Sequence, residues 1–160
     1  MGEGSTFTIR IPCRIATVED TQTKRAQVHP DGKPLVGKRI LLAEDNDLNA
    51  EIAIALLEEE GLLVERAADG VKCMEMLEKA PAHFYELILM DIQMPILGGY
   101  DTTREIRKMA DAEKAAIPII AMTANAFAED KQRALEAGMN DHVAKPIDMN
   151  KLIPTLQKYI

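Results

Sequence analysis

Short apolar runs alternate with amphipathic stretches from Arg39 to the end of the chain. The runs that predict buried strands lie at residues 40–43, 62–67, 87–91, 117–122 and 141–144. Continuous apolar runs of this length are typical of strands covered on both faces of a parallel sheet. The alternation predicts an α/β fold with a five-stranded, doubly wound parallel sheet, a flavodoxin-like (βα)5 arrangement with right-handed crossovers.

The apolar spacing within the predicted helices indicates which faces are buried. The expected buried stripe of the first helix follows i, i+4, i+8 spacing and consists of Leu48, Ile52 and Leu56. The charged residues of the third helix are interpreted as a solvated face, namely Arg104, Arg107 and Lys108. Pro154 predicts a kink or a late start in the last helix, because an interior proline costs about 3 kcal/mol.

The residues before this regular pattern have a different character. Phe7, Ile9 and Ile11 alternate with polar residues and predict a strand that ends at Pro12. A lone strand leaves its backbone groups unpaired, so we interpret residues 1–12 as the remnant of a neighbouring domain. The polar, turn-rich residues 13–37 are interpreted as a linker, and residues 38–160 as the α/β domain.

Composition narrows the range of functions. The net charge of -7 and the lack of a basic stripe argue against a nucleic-acid partner. Cys13 and Cys73 lie in unrelated contexts and suggest no disulfide framework, which favours a reducing, cytoplasmic location. No apolar run has the roughly 20 residues that span a bilayer, so no direct membrane contact is expected.

Polar side chains follow the predicted strands at the points where the strands end. These side chains are Glu44, Asp45, Asp91, Thr123 and Lys145. The carboxyl ends of parallel strands share one edge of the sheet, where ligands bind. The acidic first loop disfavours a nucleotide phosphate, which needs glycines and free N–H groups, and suits Mg²⁺. The pattern indicates metal-assisted chemistry on a phosphorylated partner, although an aspartate after a strand is also a common turn former.

This set of residues, in this order, resembles the receiver domains of two-component response regulators over residues 38–160. The resemblance implies that Asp91 accepts a phosphoryl group from a phosphohistidine. It also implies that Mg²⁺, or Mn²⁺ in its place, is held by Glu44, Asp45, Asp91 and the backbone carbonyl of Gln93. A phosphorelay domain that switches conformation on phosphorylation is the function expected from the likeness.

The same resemblance assigns roles around the phosphoryl group. Thr123 and Lys145 would contact its oxygens, and the Lys145–Pro146 peptide bond would be cis. Thr123 and His142, which replaces the Tyr or Phe often found at that position, would form the switch. Two loop amides would tune the lifetime of the phosphoryl group or have no special role, namely Gln93 and Asn125.

Residues 2–12 resemble the last glycine box and final strand of a histidine kinase ATP-binding domain. This likeness implies the receiver of a hybrid sensor histidine kinase, here without an ATP site and therefore unable to autophosphorylate. The expected partners are a kinase dimerisation and phosphotransfer domain and a histidine phosphotransfer protein. A homodimer could form through the first strand or through the face of the fourth helix, fifth strand and fifth helix.

Two other functions remain open from the sequence. One is a receiver-like module that binds partners without phosphorylation, although the complete set of acids, threonine and lysine argues against it. The other is a phosphatase with an aspartyl nucleophile. Such enzymes usually place a second acid two residues after the nucleophile, where this chain has Gln93.

Overall fold

The chain forms a parallel sheet flanked by helices. The computed structural model describes residues 35–124 and 128–160. The strands, in the order β2-β1-β3-β4-β5, are β1 Arg39–Ala43, β2 Leu63–Ala67, β3 Leu87–Asp91, β4 Ile119–Thr123 and β5 Asp141–Ala144. All neighbouring pairs are parallel, which confirms the predicted fold class. The predicted strand over residues 1–12, the linker up to residue 34 and Asn125 lie outside the described residues.

Helices connect the strands and cover the sheet. They are α1 Asp47–Glu59, α2 Gly70–Lys79, α3 Gly99–Ile106, α4 Ala112–Ala115, α5 Ala128–Ala137 and α6 Met149–Tyr159. The short α4 was not predicted. Its N-cap, Asp111, accepts hydrogen bonds from the backbone N–H groups of Glu113 and Lys114, which is the ordinary role of an aspartate before a helix.

Each face of the sheet has its own apolar core. All five residues of β3 are buried. Leu87 and Leu89 belong to the cluster that includes α1 and α6 residues, whereas Ile88 and Met90 belong to the cluster that includes α2 residues. Successive side chains of a strand point to opposite faces, so a central strand covered on both sides requires the uninterrupted apolar run that predicted it.

The predicted buried stripe of α1 is wrong. Leu48 is 64% exposed and Ile52 is 51% exposed, while Leu56 is partly buried. The buried residues are Ala50, Ala53 and Leu57. Two of these three residues are alanines, so the buried face of α1 carries less hydrophobic surface than the exposed face with Leu48 and Ile52. The i, i+4, i+8 pattern identified a helix correctly but selected the wrong side of it.

Arg107 is also not on a solvated face. It follows the last residue of α3 and is partly buried. Its Nε donates to the carbonyl of Gly138 at 2.9 Å, and its Nη1 donates to the carbonyls of Ala115 and Ile117 at 2.6 and 2.9 Å. Because the residue lies past the end of the helix, its side chain reaches two other segments, residues 115–117 before β4 and Gly138 after α5. Arg104 and Lys108 are exposed, as predicted.

Of the two alternatives predicted for the last helix, a kink or a late start, the late start does not occur. The helix α6 begins at Met149 and contains Pro154 within it. Its N-cap, Asp148, accepts a hydrogen bond from the backbone N–H of Asn150 at 3.1 Å. This cap fixes the start of the helix upstream of the proline.

Candidate functional site

The strand order brings the predicted site residues to one edge of the sheet. The chain reverses its direction of winding between β1 and β3, since α1 packs on one face and α2 on the other. Ligands in doubly wound sheets bind at such a point, outside the carboxyl ends of the strands. Glu44 and Asp45 follow β1, and Asp91 is the last residue of β3. The register pairs Ala43 of β1 with Met90 of β3, which places the acids next to each other.

Three carboxylates converge at this edge. Glu44, Asp45 and Asp91 each offer an oxygen, and these oxygens lie within 4.8 Å of one another. Glu44 and Asp91 are buried and Asp45 is exposed, so the group opens to solvent on one side. The cleft above it has a volume of about 330 Å³. A cluster of hard oxygen donors beside an open cleft fits a divalent cation that keeps part of its water shell.

Lys145 connects the two buried acids. Its Nζ lies 2.6 Å from Oε2 of Glu44 and 2.6 Å from Oδ2 of Asp91. Burial by itself would lower the pKa of Lys145, but the hydrogen bonds with Asp91 and Glu44 outweigh it and raise the pKa. The ammonium is therefore charged at neutral pH and offsets the repulsion between the two carboxylates. The peptide bond from Lys145 to Pro146 is cis, as expected.

Asp91 itself lies in an environment that disfavours its charge. Burial raises the pKa of the Asp91 carboxyl, and the hydrogen bond from Lys145 offsets this only in part. The backbone N–H of Gln93 donates to Oδ1 of Asp91 at 3.2 Å. The carboxylate is thus oriented by two donors, one on each oxygen, while the Gln93 residue is itself exposed.

The remaining predicted residues lie on β4 and β5. Thr123 ends β4, is buried and pairs in register with Ala144, the residue before Lys145. It lines the cleft together with Lys145. His142 lies on β5 outside that cleft, and its Nδ1 is 3.6 Å from Oδ1 of Asp141. Within residues 35–124 and 128–160, this Nδ1 is buried without a hydrogen-bond partner.

Sequence reasoning missed two residues that contact the acidic loop. Asn49 donates from Nδ2 to Oε1 of Glu44 at 3.1 Å. Arg66, near the end of β2, donates from Nε to the carbonyl of Glu44 at 2.9 Å. The signal available for Arg66 was a charged residue at the carboxyl end of a strand adjacent to β1. Such a signal becomes informative only when the strand order is known.

A glycine was missed in the same way. Gly99 is the first residue of α3, and a Cβ there would overlap the backbone carbonyl oxygen of Asp91. Only a residue without a side chain lets the start of this helix pack against the end of β3. The start of α3 at Gly99 therefore packs directly against the strand end that carries Asp91.

The fold and the cleft define an α/β signalling domain of flavodoxin-like topology, with an acidic group, a threonine and a lysine at the strand ends. The chain belongs to the response regulator receiver domain family, whose model matches residues 40–157. The resemblance inferred from the sequence is thereby confirmed. The predicted function as a receiver domain of a phosphorelay system is confirmed as well.

Similar proteins include sensor kinases and isolated receivers. The chain is 36% identical over 160 residues, 99% of its length, to the aerobic respiration control sensor protein ArcB of Escherichia coli. It is 41% identical to the crystallised receiver domain of a Pseudomonas aeruginosa sensor histidine kinase, which has a magnesium ion in its active-site cleft. That match covers 78% of this chain and 98% of the other, with a TM-score of 0.69.

A third similar structure contains a partner. The receiver domain of the Saccharomyces cerevisiae response regulator Ssk1, crystallised with the histidine phosphotransfer protein Ypd1, is 25% identical. It covers 79% of this chain and 91% of the other, with a TM-score of 0.69.

The curated relatives are much longer than this chain. The chain spans 19% of the length of ArcB and 8% of hybrid signal transduction histidine kinase I of Dictyostelium discoideum, to which it is 36% identical over 140 residues. Among the residues that the structure describes, no helix has the length and apolar character needed to cross a membrane.

Proposed function

We propose that Asp91 is the phosphoacceptor of this receiver domain and takes its phosphoryl group from a phosphohistidine. The observation that carries the proposal is the position of Asp91 at the end of a buried central strand, with Oδ2 2.6 Å from Lys145 Nζ. In the transfer, an Asp91 carboxylate oxygen bonds to phosphorus as the P–N bond to the imidazole breaks. The imidazole nitrogen keeps the bonding electron pair, and an aspartyl phosphate results.

Glu44, Asp45, Asp91 and the Gln93 carbonyl are proposed to hold Mg²⁺, with Mn²⁺ as a substitute. The mutual distances of the three carboxylates and the magnesium ion in the Pseudomonas receiver support this assignment. A bound cation supplies positive charge that screens the phosphoryl oxygens from the acids, which is the main need of a loose, metaphosphate-like transition state.

Lys145 and Thr123 are proposed to receive the phosphoryl oxygens. Lys145 already contacts the oxygen of Asp91 that would carry the phosphoryl group or lie beside it. During the transfer, its ammonium would turn from a carboxylate oxygen to a phosphoryl oxygen. Thr123 lines the same cleft. In the proposed switch, Thr123 moves toward the phosphoryl group and His142 on β5 changes its position as well. Gln93 and Asn125 are proposed to tune the rate of dephosphorylation.

The exposed face of α1 is proposed to bind the phosphodonor. Leu48 and Ile52 lie one turn apart near the start of this helix, immediately after the acidic loop. Ile96, 83% exposed, lies in the loop that follows Asp91. Exposed large aliphatic residues beside a reactive cleft are typical of a protein-binding surface. The expected partner is a histidine phosphotransfer protein or the phosphotransfer domain of a kinase, a choice supported by the yeast receiver complex.

The parent protein is proposed to be a hybrid sensor histidine kinase. The alignment with ArcB extends over 99% of this chain and so includes residues before the family match at residue 40. This supports a boundary in which residues 1–12 belong to a kinase ATP-binding domain, residues 13–37 form a linker and residues 38–160 form the receiver. A cytoplasmic location without direct membrane contact, and a homodimer through the first strand or through the face of α5, β5 and α6, are part of the same proposal.

Phosphorylation from a small donor tests the central assignment. The protein is incubated with Mg²⁺ and acetyl phosphate, and its intact mass is measured over time. We expect one phosphate adduct that is lost on hydrolysis and that does not form in Asp91→Asn or in EDTA. An adduct that persists in Asp91→Asn would place the acceptor elsewhere. Rapid turnover of an unrelated phosphomonoester would instead favour a phosphatase.

A further inference from the structure

Arg66 contacts the acidic loop of the candidate cation site from the neighbouring strand. Its Nε donates to the carbonyl oxygen of Glu44 at 2.9 Å, and its Nη2 donates to the carbonyl oxygen of Asp45 at 2.9 Å. Its Nη1 lies 2.7 Å from Oδ1 of Asp47. One guanidinium thus contacts Glu44 and Asp45 in the loop between β1 and α1, and Asp47 at the start of α1.

We propose that Arg66 is a positioning residue for the cation site, which fixes the backbone of Glu44 and Asp45 so that their carboxylates face Asp91. The inference rests on the proposed role of these acids in holding Mg²⁺. The guanidinium is planar and presents its N–H groups in a rigid fork. Two of its donors on adjacent carbonyls therefore restrict both the position and the rotation of the peptide between them.

The end of β2 binds both backbone groups of Glu44, since Arg66 donates to its carbonyl and Ala67 accepts from its N–H. The backbone N–H of Glu44 donates to the carbonyl of Ala67 at 3.1 Å, beside Arg66. Farther along the loop, Asn46 caps α1 by accepting from the backbone N–H of Asn49 at 3.0 Å. Arg66 binds the backbone between these two hydrogen bonds, at Glu44 and Asp45, whose side chains are proposed to hold the cation.

The position of the Asp45 carboxylate depends on the backbone contact with Arg66 more than the position of the Glu44 carboxylate does. The Glu44 carboxylate is held directly by Lys145 and by Asn49. In the part of the chain that the structure describes, no hydrogen bond holds the exposed Asp45 carboxylate, so its position follows from its backbone alone. Groups that orient metal ligands commonly change metal affinity by roughly 10- to 100-fold when they are removed.

The positive charge of Arg66 makes the proposal easy to test, because charge and positioning predict opposite results. As a point charge, Arg66 repels a divalent cation, and its removal would tighten Mg²⁺ binding. As a positioning group, its removal frees the loop and weakens binding. The sign of the change in affinity therefore separates the two roles.

The experiment is calorimetric titration of Mg²⁺ into the EDTA-treated and dialysed protein. Arg66→Gln is expected to weaken Mg²⁺ binding about ten-fold. The double variant D47N/R66Q has the same net charge as the native protein, and its affinity for Mg²⁺ is expected to fall by a similar factor. Arg66→Lys keeps the charge without the fork and is also expected to bind more weakly. Arg39→Gln is the matched control, because it removes one positive charge at the start of β1, where Arg39 pairs with Glu65. Its affinity for Mg²⁺ is expected to equal that of the native protein.

Native or tighter binding in Arg66→Gln would overturn the proposal, and so would native binding in Arg66→Lys. Circular dichroism and thermal melting establish that each variant is folded. Should Arg66→Gln fail to fold, Arg66→Lys decides the question by the same criterion. Failure of the underlying function looks different, because the native protein would then bind no Mg²⁺ and form no adduct on Asp91.

Discussion

The Nζ atom of Lys145 lies 2.6 Å from Oδ2 of Asp91, although 54 positions of sequence separate the two residues. The same ammonium also binds Glu44 at 2.6 Å. One cation thus offsets two buried carboxylates, and the net charge of the three groups is negative. This imbalance has a measurable cost to the fold when no divalent cation is bound.

Asp91→Asn is therefore expected to stabilise the domain. Because burial raises the pKa of Asp91, the folded state binds the Asp91 proton more tightly than the unfolded state does. The charged form then destabilises the fold above the folded pKa, and this cost disappears as the pH falls through it. We expect Asn to raise the free energy of unfolding by on the order of 1 kcal/mol at neutral pH.

The measurement is urea unfolding in EDTA at neutral pH and again at about pH 4. The advantage of Asp91→Asn should shrink at the lower pH, because Asp91 is then increasingly neutral. A variant that is less stable than the native protein at neutral pH would contradict the sign of this prediction.

Gly99→Ala is expected to damage the site through the backbone. Its Cβ would overlap the carbonyl oxygen of Asp91 and approach Ile92 Cα to 3.0 Å, and overpacking of this kind costs about 1 to 3 kcal/mol. Since the strain is applied at Asp91, phosphorylation by acetyl phosphate should slow as well. Gly98→Ala is the control, because the nearest atom to its Cβ is 3.4 Å away, and it should retain near-native stability and labelling.

Arg107→Gln is expected to lower stability by about 2 kcal/mol, because backbone carbonyls lose their donors in a partly buried position. The native guanidinium also donates to Oδ1 of Asn140 at 3.0 Å, and this oxygen accepts from the backbone N–H of Ile119 at 2.9 Å. Arg104→Gln removes only an exposed contact with Asp101 and should cost about 0.5 kcal/mol or less. Equal effects of the two substitutions on urea unfolding would contradict the structural role of Arg107.

Introducing a charge on the exposed apolar face of α1 is expected to impair recognition of a protein phosphodonor. In Leu48→Glu and Ile52→Glu, the rate of transfer from a phosphorylated histidine phosphotransfer protein should fall at least about ten-fold relative to the rate from acetyl phosphate. Leu63→Glu, which changes an exposed leucine at the start of β2, provides the control and should leave this ratio unchanged. A ratio that is equally unchanged for Leu48→Glu would remove α1 from the proposed interface.

Sequence patterns identified the strands and the polar residues at their ends because these depend on local composition. The buried run before Asp91 and the Lys145–Pro146 pair each mark a strand end without knowledge of the remaining fold. The predicted buried face of α1 was wrong, since Ala50 and Ala53 give a weak hydrophobic signal but are buried.

Contacts between distant segments could not be predicted in the same way. Arg107 and Arg66 both use a long side chain to reach carbonyls of other elements. Their sequence neighbours suggest only ordinary surface charges, because the acceptors are supplied by strand order and loop geometry. The acids, the threonine and the lysine of the candidate site were thus predictable from the sequence, whereas the long-range contacts of Arg66 and Arg107 were not.

The complete burial of β3 has a consequence for hydrogen exchange. Its residues are covered on both faces and pair with β1 and β4, so its amides should exchange with solvent only when the whole domain unfolds. Exchange rates in this strand then report global stability, and rates in the loops that follow the strands report local opening. A comparison of the two before and after phosphorylation would measure separately how much the modification stabilises the domain and how much it rearranges its edge.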